Sequence, residues 1–422
     1  MSTGTEKIPT VETPEEDFSP RLKRRHHQGT FWHNVFRLST AVGMIVLALL
    51  MLNIINKAFG YVSFEPKVSP ESLSIDGVTL EEMDKDQLVQ VFSENVSAGL
   101  YRRFESEEPF ADRSAESVYD LIQEWVVKPE IIDVYPLFDS LLHARQIKQE
   151  VAMDEKHPDA YLKFYSWLDL QFVTSPQEAE ALRAGVRTAI FGSLWTIFIA
   201  ILFAFPVGVS AAIYLEEYAV DNWLNRIIQT NINNLSGVPS IIYGLLGLAI
   251  FVRALVNITS GAFLGTADPT TANGRTILSA GLTLGLLVLP MVIINAQEAI
   301  KAVPSSLRQA SFGLGATKWQ TIWHHVLPGA LSGIMTGTIL AISRAIGETA
   351  PLVVVGASTY INVDPSGPFS KFTTLPIQIY QWTSRPYDEF RGLAAAAIIV
   401  LLIMLLSLNA VAILLRNRFS KR

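Results

Sequence analysis

The chain has 422 residues, of which 50% are hydrophobic and 17% charged, with a formal net charge of −6. Ordinary soluble domains carry about 25% charged residues, and here the apolar residues gather in long runs, so a soluble globular enzyme is excluded. No cysteine is present, which rules out a disulfide framework, a thiol nucleophile and a cysteine metal site.

Residues 1–38 read as a tail ahead of the first span. The first 20 are polar, with three prolines and five acidic side chains, and are expected to be disordered. A cleavable signal peptide is not expected, because the apolar run starts too late and is too long. Apolar runs near the roughly 20 residues a membrane helix needs fall at 39–59, 188–214, 235–256, 277–294, 330–355 and 393–415. Six spans put both termini on one side. Arg21, Lys23, Arg24 and Arg25 before the first span make that side cytoplasmic. Arg416, Arg418, Lys421 and Arg422 after the last span agree, with residues 417–422 as a short cytoplasmic end.

Residues 60–187 then fall on the outer face as an extracytoplasmic domain. Glu105, Glu107, Glu108, Asp112, Glu116 and Asp120 form an acidic cluster, read chiefly as solvated surface. Tyr101, Phe104, Trp125, Tyr135, Phe138, Tyr161, Phe164, Tyr165 and Trp167 supply a small core, and about 125 residues suffice for a domain. Helices are expected over 80–100 and 115–127. A separately folded, accessory domain is the expectation.

Residues 188–416 make the membrane core. Within it, 297–328 form a polar loop with cytoplasmic charge (Lys301, Arg308, Lys318). Leu307, Ala310, Ser311 and Leu314 share one face of a first short helix. Gly313 and Gly315 offer a left-handed stop. Thr317 and Gln320 have capping-box spacing for a second helix, with Trp319, Ile322, Trp323 and Val326 as its apolar stripe and Pro328 as its end. Such a loop is a docking surface, or else an amphipathic pair lying on lipid headgroups.

The next span carries Arg344 and, four residues on, Glu348. A charge near mid-membrane costs from about 2.5 kcal/mol upward unless paired or wetted. Two readings stay open: a self-neutralising ion pair, or a guanidinium offered to an oxyanion in a water-filled path. Pro206, Pro239, Pro290 and Pro351 are expected to kink or break their helices. Small residues four apart (Ser240 and Gly244; Gly281 and Gly285; Gly329, Gly333 and Gly337) permit close helix packing, within the chain or against a second one. His26–His27 and His324–His325 are adjacent pairs that put their rings on different sides of a helix, and no metal site is expected.

No G-x-x-x-x-G-K-[ST] or G-x-S-x-G occurs, so no ATP site, catalytic residue or cofactor is expected in this chain. If transport is ATP-driven, the ATP belongs to a partner ATPase. No nucleic-acid partner is expected.

Ala310, Gly315, Leu327 and Pro328 resemble the "EAA" loop of ABC-importer permeases, with Gln309, Ser311 and His325 departing from its pattern. The stretches SGVPSIIYGLLGLAIF (236–251), GVSAAIYLEEYA (208–219), GIMTG (333–337) and AIGETAPL (345–352) resemble the phosphate (Pst-type) branch, and GETAPL its A-type subunit. The resemblance runs from about residue 183 to the end of the chain. It implies an all-α membrane fold whose last five helices form the permease core. The implied function is that of a membrane-spanning permease subunit of a phosphate importer, in the bacterial inner membrane, and not an enzyme. Its implied partners are a homologous C-type permease, an ATPase dimer and an extracytoplasmic phosphate-binding protein. Arg344 and Glu348 would line the substrate path. Ala310, Gly315, Thr317, Lys318, Trp319 and Pro328 would couple to the ATPase. The alternatives are a permease for another oxyanion, a passive channel, which needs no docking loop, and a membrane sensor using 60–187. The sensor would need a cytoplasmic output module, for which the short cytoplasmic segments leave no room.

Overall fold

A computed structural model describes residues 19–75, 77–265, 271, 273–357 and 360–420. The tail expected over residues 1–18 and the basic pair Lys421 and Arg422 lie outside the described residues, as do the side chains of Arg21, Lys23 and Arg24. By internal contacts the chain divides into Met1–Ile54 and Ile55–Arg422.

The first unit is carried by a helix of 40 residues, Ser19–Ala58, which contains the span expected at 39–59. In the second unit, long apolar helices run over Arg187–Tyr218, Ile277–Lys301, Lys318–Gly347 and Asp388–Arg418. A pair of helices, Trp223–Ser236 and Ser240–Ala254, is bent by 109° at the break between them. Among the described residues, five helices are thus long and apolar enough to span, or six if the bent pair counts as one.

Two of these elements depart from the expected bounds of their spans, each at a proline expected to kink or break its helix. The third span begins at Ser240, because Leu235 and Ser236 belong to a preceding amphipathic helix. The chain turns between them at Gly237, Val238 and Pro239, and Pro239 then leads the apolar helix. The fifth span is not continuous. Its helix, Leu327–Gly347, stops before Glu348, and a short helix, Ala350–Val355, follows. The ring of Pro351 would strike the carbonyl of the residue four back, Gly347, so the helix ends there. Pro206 and Pro290, by contrast, lie inside their helices.

The small-residue stripes are used within the chain. A β-carbon on Gly244 would come within 2.7 Å of Pro351 Cα, one on Gly281 within 2.6 Å of Ile199, and one on Gly333 within 2.7 Å of Ala299. These three positions therefore hold neighbouring helices of the same chain in contact.

The insert is two structures, a helical lobe set between the first and second strands of a sheet. Helices Lys85–Asn95, Ala98–Glu107 and Ala115–Ile122 bury Leu88, Phe92, Phe104, Val118 and Ile122 in a core of their own. The helix expected over 80–100 is therefore split, with Ser97 capping the second piece. The second structure is a three-stranded antiparallel sheet ordered β2-β1-β3, with β1 Phe59–Pro66, β2 Pro129–Pro136 and β3 Tyr161–Ser166.

This sheet corrects the expectation of a separately folded domain. Val62, Phe64, Trp167 and Phe172 share one cluster with Leu375, Trp382, Phe390 and Leu393 of the membrane core. Trp167 is 2% exposed, and its indole lies where a β-carbon on Gly392 would collide with it. The side chain missing at Gly392 lets the sheet seat on the start of the last helix. Helix Arg187–Ile213 then separates this end from the polar loop by 27 residues, or about 40 Å.

Candidate functional site

The polar loop folds as helix Ser305–Gly313, a turn, and a second helix beginning at Lys318. Gly315 adopts φ +82°, the left-handed turn expected of it, and nothing lies within 4 Å of where a β-carbon would stand. The Thr317 hydroxyl accepts from Gln320 N, and Gln320 Oε1 accepts from Thr317 N, so the capping box is complete.

The second helix does not end at Pro328. A wide turn over Ile322–Val326 passes Pro328 into the membrane helix, so Lys318–Gly347 is one rod of 30 residues. In that turn Leu327 N bonds Ile322 O, which shifts the carbonyl ladder just before a residue with no N–H to give. The expected apolar stripe also divides. Ile322 and Val326 are buried, Val326 in the cluster that holds the loop to the bundle. Trp319 and Trp323 stack on each other at 5.5 Å and stay exposed. On the first helix Ser311 turns inward and its hydroxyl pairs with that of Thr321 at 2.8 Å, while Leu307, Ala310 and Phe312 remain exposed. Leu314, in the turn, is 90% exposed. Thr317, Lys318 and Pro328 are exposed too, so all six expected coupling residues are exposed.

The loop is tied to the bundle by ion pairs that no sequence motif assigns. Arg308 donates from Nε and Nη2 to Glu217 Oε1 at 3.0 and 2.9 Å, and to the carbonyls of Val303 and Ile300. Gln297 donates to Glu216, and Lys301 Nζ lies 3.4 Å from the same carboxylate. Lys318 Nζ sits 5.1 Å over the Tyr218 ring. The available signal was the pair Glu216–Glu217 closing an apolar span, with three cations in the facing loop.

At the far end of the rod, Arg344 Nε is 3.4 Å from Glu348 Oε1. The pair forms across the helix end and not along a helix face, because Glu348 is already extended (φ −77°, ψ 121°). The Arg344 side chain is 45% exposed and that of Glu348 19%. Among the described residues no hydrogen bond engages Arg344 Nη1 or Nη2, so the planar end of the guanidinium keeps its donors. Both charges thus meet where the membrane helix breaks, about 39 Å along the rod from Lys318. Among the described residues, no group of three His, Cys, Asp or Glu is placed to hold a metal ion.

Comparison with known proteins fits this construction. YqgI of Bacillus subtilis, a probable ABC transporter permease, is 34% identical over 218 residues, covering 51% of this chain and 68% of that protein. The phosphate transport system permease protein PstA 1 of Mycobacterium tuberculosis is 34% identical over 244 residues, covering 58% and 74%. PstC of Xylella fastidiosa, also a phosphate transport system permease protein, is 32% identical over 248 residues, covering 56% and 75%. The family described as "Binding-protein-dependent transport system inner membrane component" matches residues 204–422. That stretch holds the helical core, the glycine-turned loop and the broken helix, and the chain belongs to this family of membrane permease subunits.

Proposed function

We propose that this chain is a permease subunit of an ATP-driven phosphate importer. The observation that carries the reading is 34% identity over 244 residues to a protein named as a phosphate transport permease. Relatives named PstA and PstC match at 34% and 32%, and the GETAPL wording at Gly347–Leu352 favours the A-type seat beside a homologous C-type permease.

The geometry supports a coupling route. Trp319, Trp323 and Leu314 dock on an ATPase of the partner dimer. Because Lys318–Gly347 is one rod, displacement of its docked end is carried to Arg344. The Arg308–Glu217 clamp makes the loop move with the end of helix Arg187–Ile213 instead of hinging freely. Arg344 offers its free fork to a tetrahedral oxyanion, and Glu348 competes with the anion for the same guanidinium. In this orientation both termini and residues 297–328 are cytoplasmic. The insert lies outside, where an extracytoplasmic binding protein delivers the anion.

The test is uptake by the assembled complex in vesicles. ATP-dependent accumulation of radiolabelled phosphate, unaffected by excess sulfate, is expected. Competition by sulfate at equal strength would replace phosphate with a broader oxyanion class.

A further inference from the structure

The short helix Leu137–Leu142 is built inside out for a soluble domain. Phe138, Leu141 and Leu142 stand at i, i+3 and i+4, so they share one face. That face is exposed: Phe138 45%, Leu141 67% and Leu142 77%. Of its two polar residues, Asp139 is exposed and Ser140 points the other way. Ser140 is buried, its hydroxyl accepting from Tyr61 N at 2.7 Å and donating to the Pro136 carbonyl.

The position of this helix is fixed by the end of the first membrane helix. Phe138 N donates to Asn56 Oδ1 at 2.7 Å. Asn56 lies in the last turn of the helix Arg25–Ala58, which contains an 18-residue window of mean hydropathy 2.4. A helix of that kind ends where hydrocarbon gives way to headgroups. Phe138 is therefore at headgroup level, whichever side of the membrane the insert occupies. Exposed cations adjoin the two bonded residues in the chain: Lys57 next to Asn56, and Arg145 and Lys148 on the helix after Phe138, Ala144–Ala152. Such cations beside an apolar face match a phospholipid surface.

We propose that the Leu137–Leu142 helix is an interfacial foot, its Phe138, Leu141 and Leu142 face embedded in the lipid beside the end of the first membrane helix. The foot fixes β1 and β2 at the bilayer surface, since Ser140 holds it to Tyr61 and Pro136.

The native chain has no cysteine, so single cysteines can carry a bimane probe at Leu141 or Leu142. Leu47→Cys in the membrane helix and Ser106→Cys on the exposed Ala98–Glu107 helix are the two references. The full chain is placed in phosphatidylcholine vesicles brominated on the acyl chains, and aqueous iodide is added in a parallel series. The probes at Leu141 and Leu142 are expected to lose most of their emission to brominated lipid, as at Leu47, and little to iodide. Quenching by iodide alone, as at Ser106, would place the face in water and overturn the proposal. Protection from both quenchers, with Leu47 still quenched by lipid, would mean that protein covers the face, and would overturn it equally.

Discussion

Replacing Gly315 separates the geometry of the loop from its sterics. The residue holds φ +82°, and nothing lies within 4 Å of where a β-carbon would stand, so a substitution there meets no neighbour. The remaining cost is local. A β-carbon in the left-handed region costs roughly 1–2 kcal/mol, which shifts a turn equilibrium about 5- to 30-fold. Asparagine tolerates that region, alanine less so, and β-branched valine least. Uptake per ATP hydrolysed by the reconstituted complex should therefore fall in the order Gly315, Asn, Ala, Val, with assembly intact. Gly315→Val at wild-type coupling would show that the left-handed turn is not needed. Equal loss in Asn and Val variants would mean that something other than backbone conformation is at work.

Other consequences concern the insert, the topology and acidity. Trp167→Ala removes an indole that is 2% exposed and should cost about 3–5 kcal/mol, read as lost thermal stability of the purified protein; Gly392→Val should do the same by expelling the ring. Because Lys67 N bonds Val127 O at 2.8 Å, the intervening helical lobe has closely spaced ends, and its excision should leave uptake largely intact, whereas removal of 60–187 would uncover Trp382 and Phe390 and block assembly. Ser311 is buried, so Leu314→Cys is the better probe of the loop: an impermeant thiol reagent on intact cells should label Ser106→Cys and spare Leu314→Cys, and the reverse would invert the topology. His157 Nδ1 lies 2.6 Å from Glu65 Oε2, and that hydrogen bond raises the imidazole pKa. A raised folded value means that the contribution is full below the ordinary value of about 6.5 and fades as pH climbs through the folded one. His157→Ala should therefore destabilise the insert at acid pH and little at alkaline pH, in melts followed across that range.

The spans were legible because an apolar run of some 20 residues has few other uses. The turn at Gly315 and the Thr317–Gln320 box were legible because they are local, set by residues within a few positions of each other. The break at Glu348 was legible in Pro351, whose ring forbids the helix at Gly347, although the apolar residues on both sides made the span itself read as continuous. At Pro328 the same rule failed, because a wide turn absorbed the missing donor. The seating of Trp167 on Gly392 joins residues more than 200 positions apart in the chain, which no periodicity reveals. The Arg308–Glu217 clamp was hidden similarly, since charge placement in sequence does not say which carboxylate faces which cation.

The most direct measurement is uptake of radiolabelled phosphate by Arg344→Ala protein, assembled with its ATPase and still hydrolysing ATP. Arg344 and Glu348 approach only to 3.4 Å, and among the described residues no hydrogen bond engages the outer fork of the guanidinium. Uptake should be abolished in Arg344→Ala and partly restored in Arg344→Lys, which keeps the charge but lacks the bidentate fork. Near-normal phosphate uptake by the assembled Arg344→Ala complex would reduce the Arg344–Glu348 pair to a structural tie at the helix break and remove it from the translocation path.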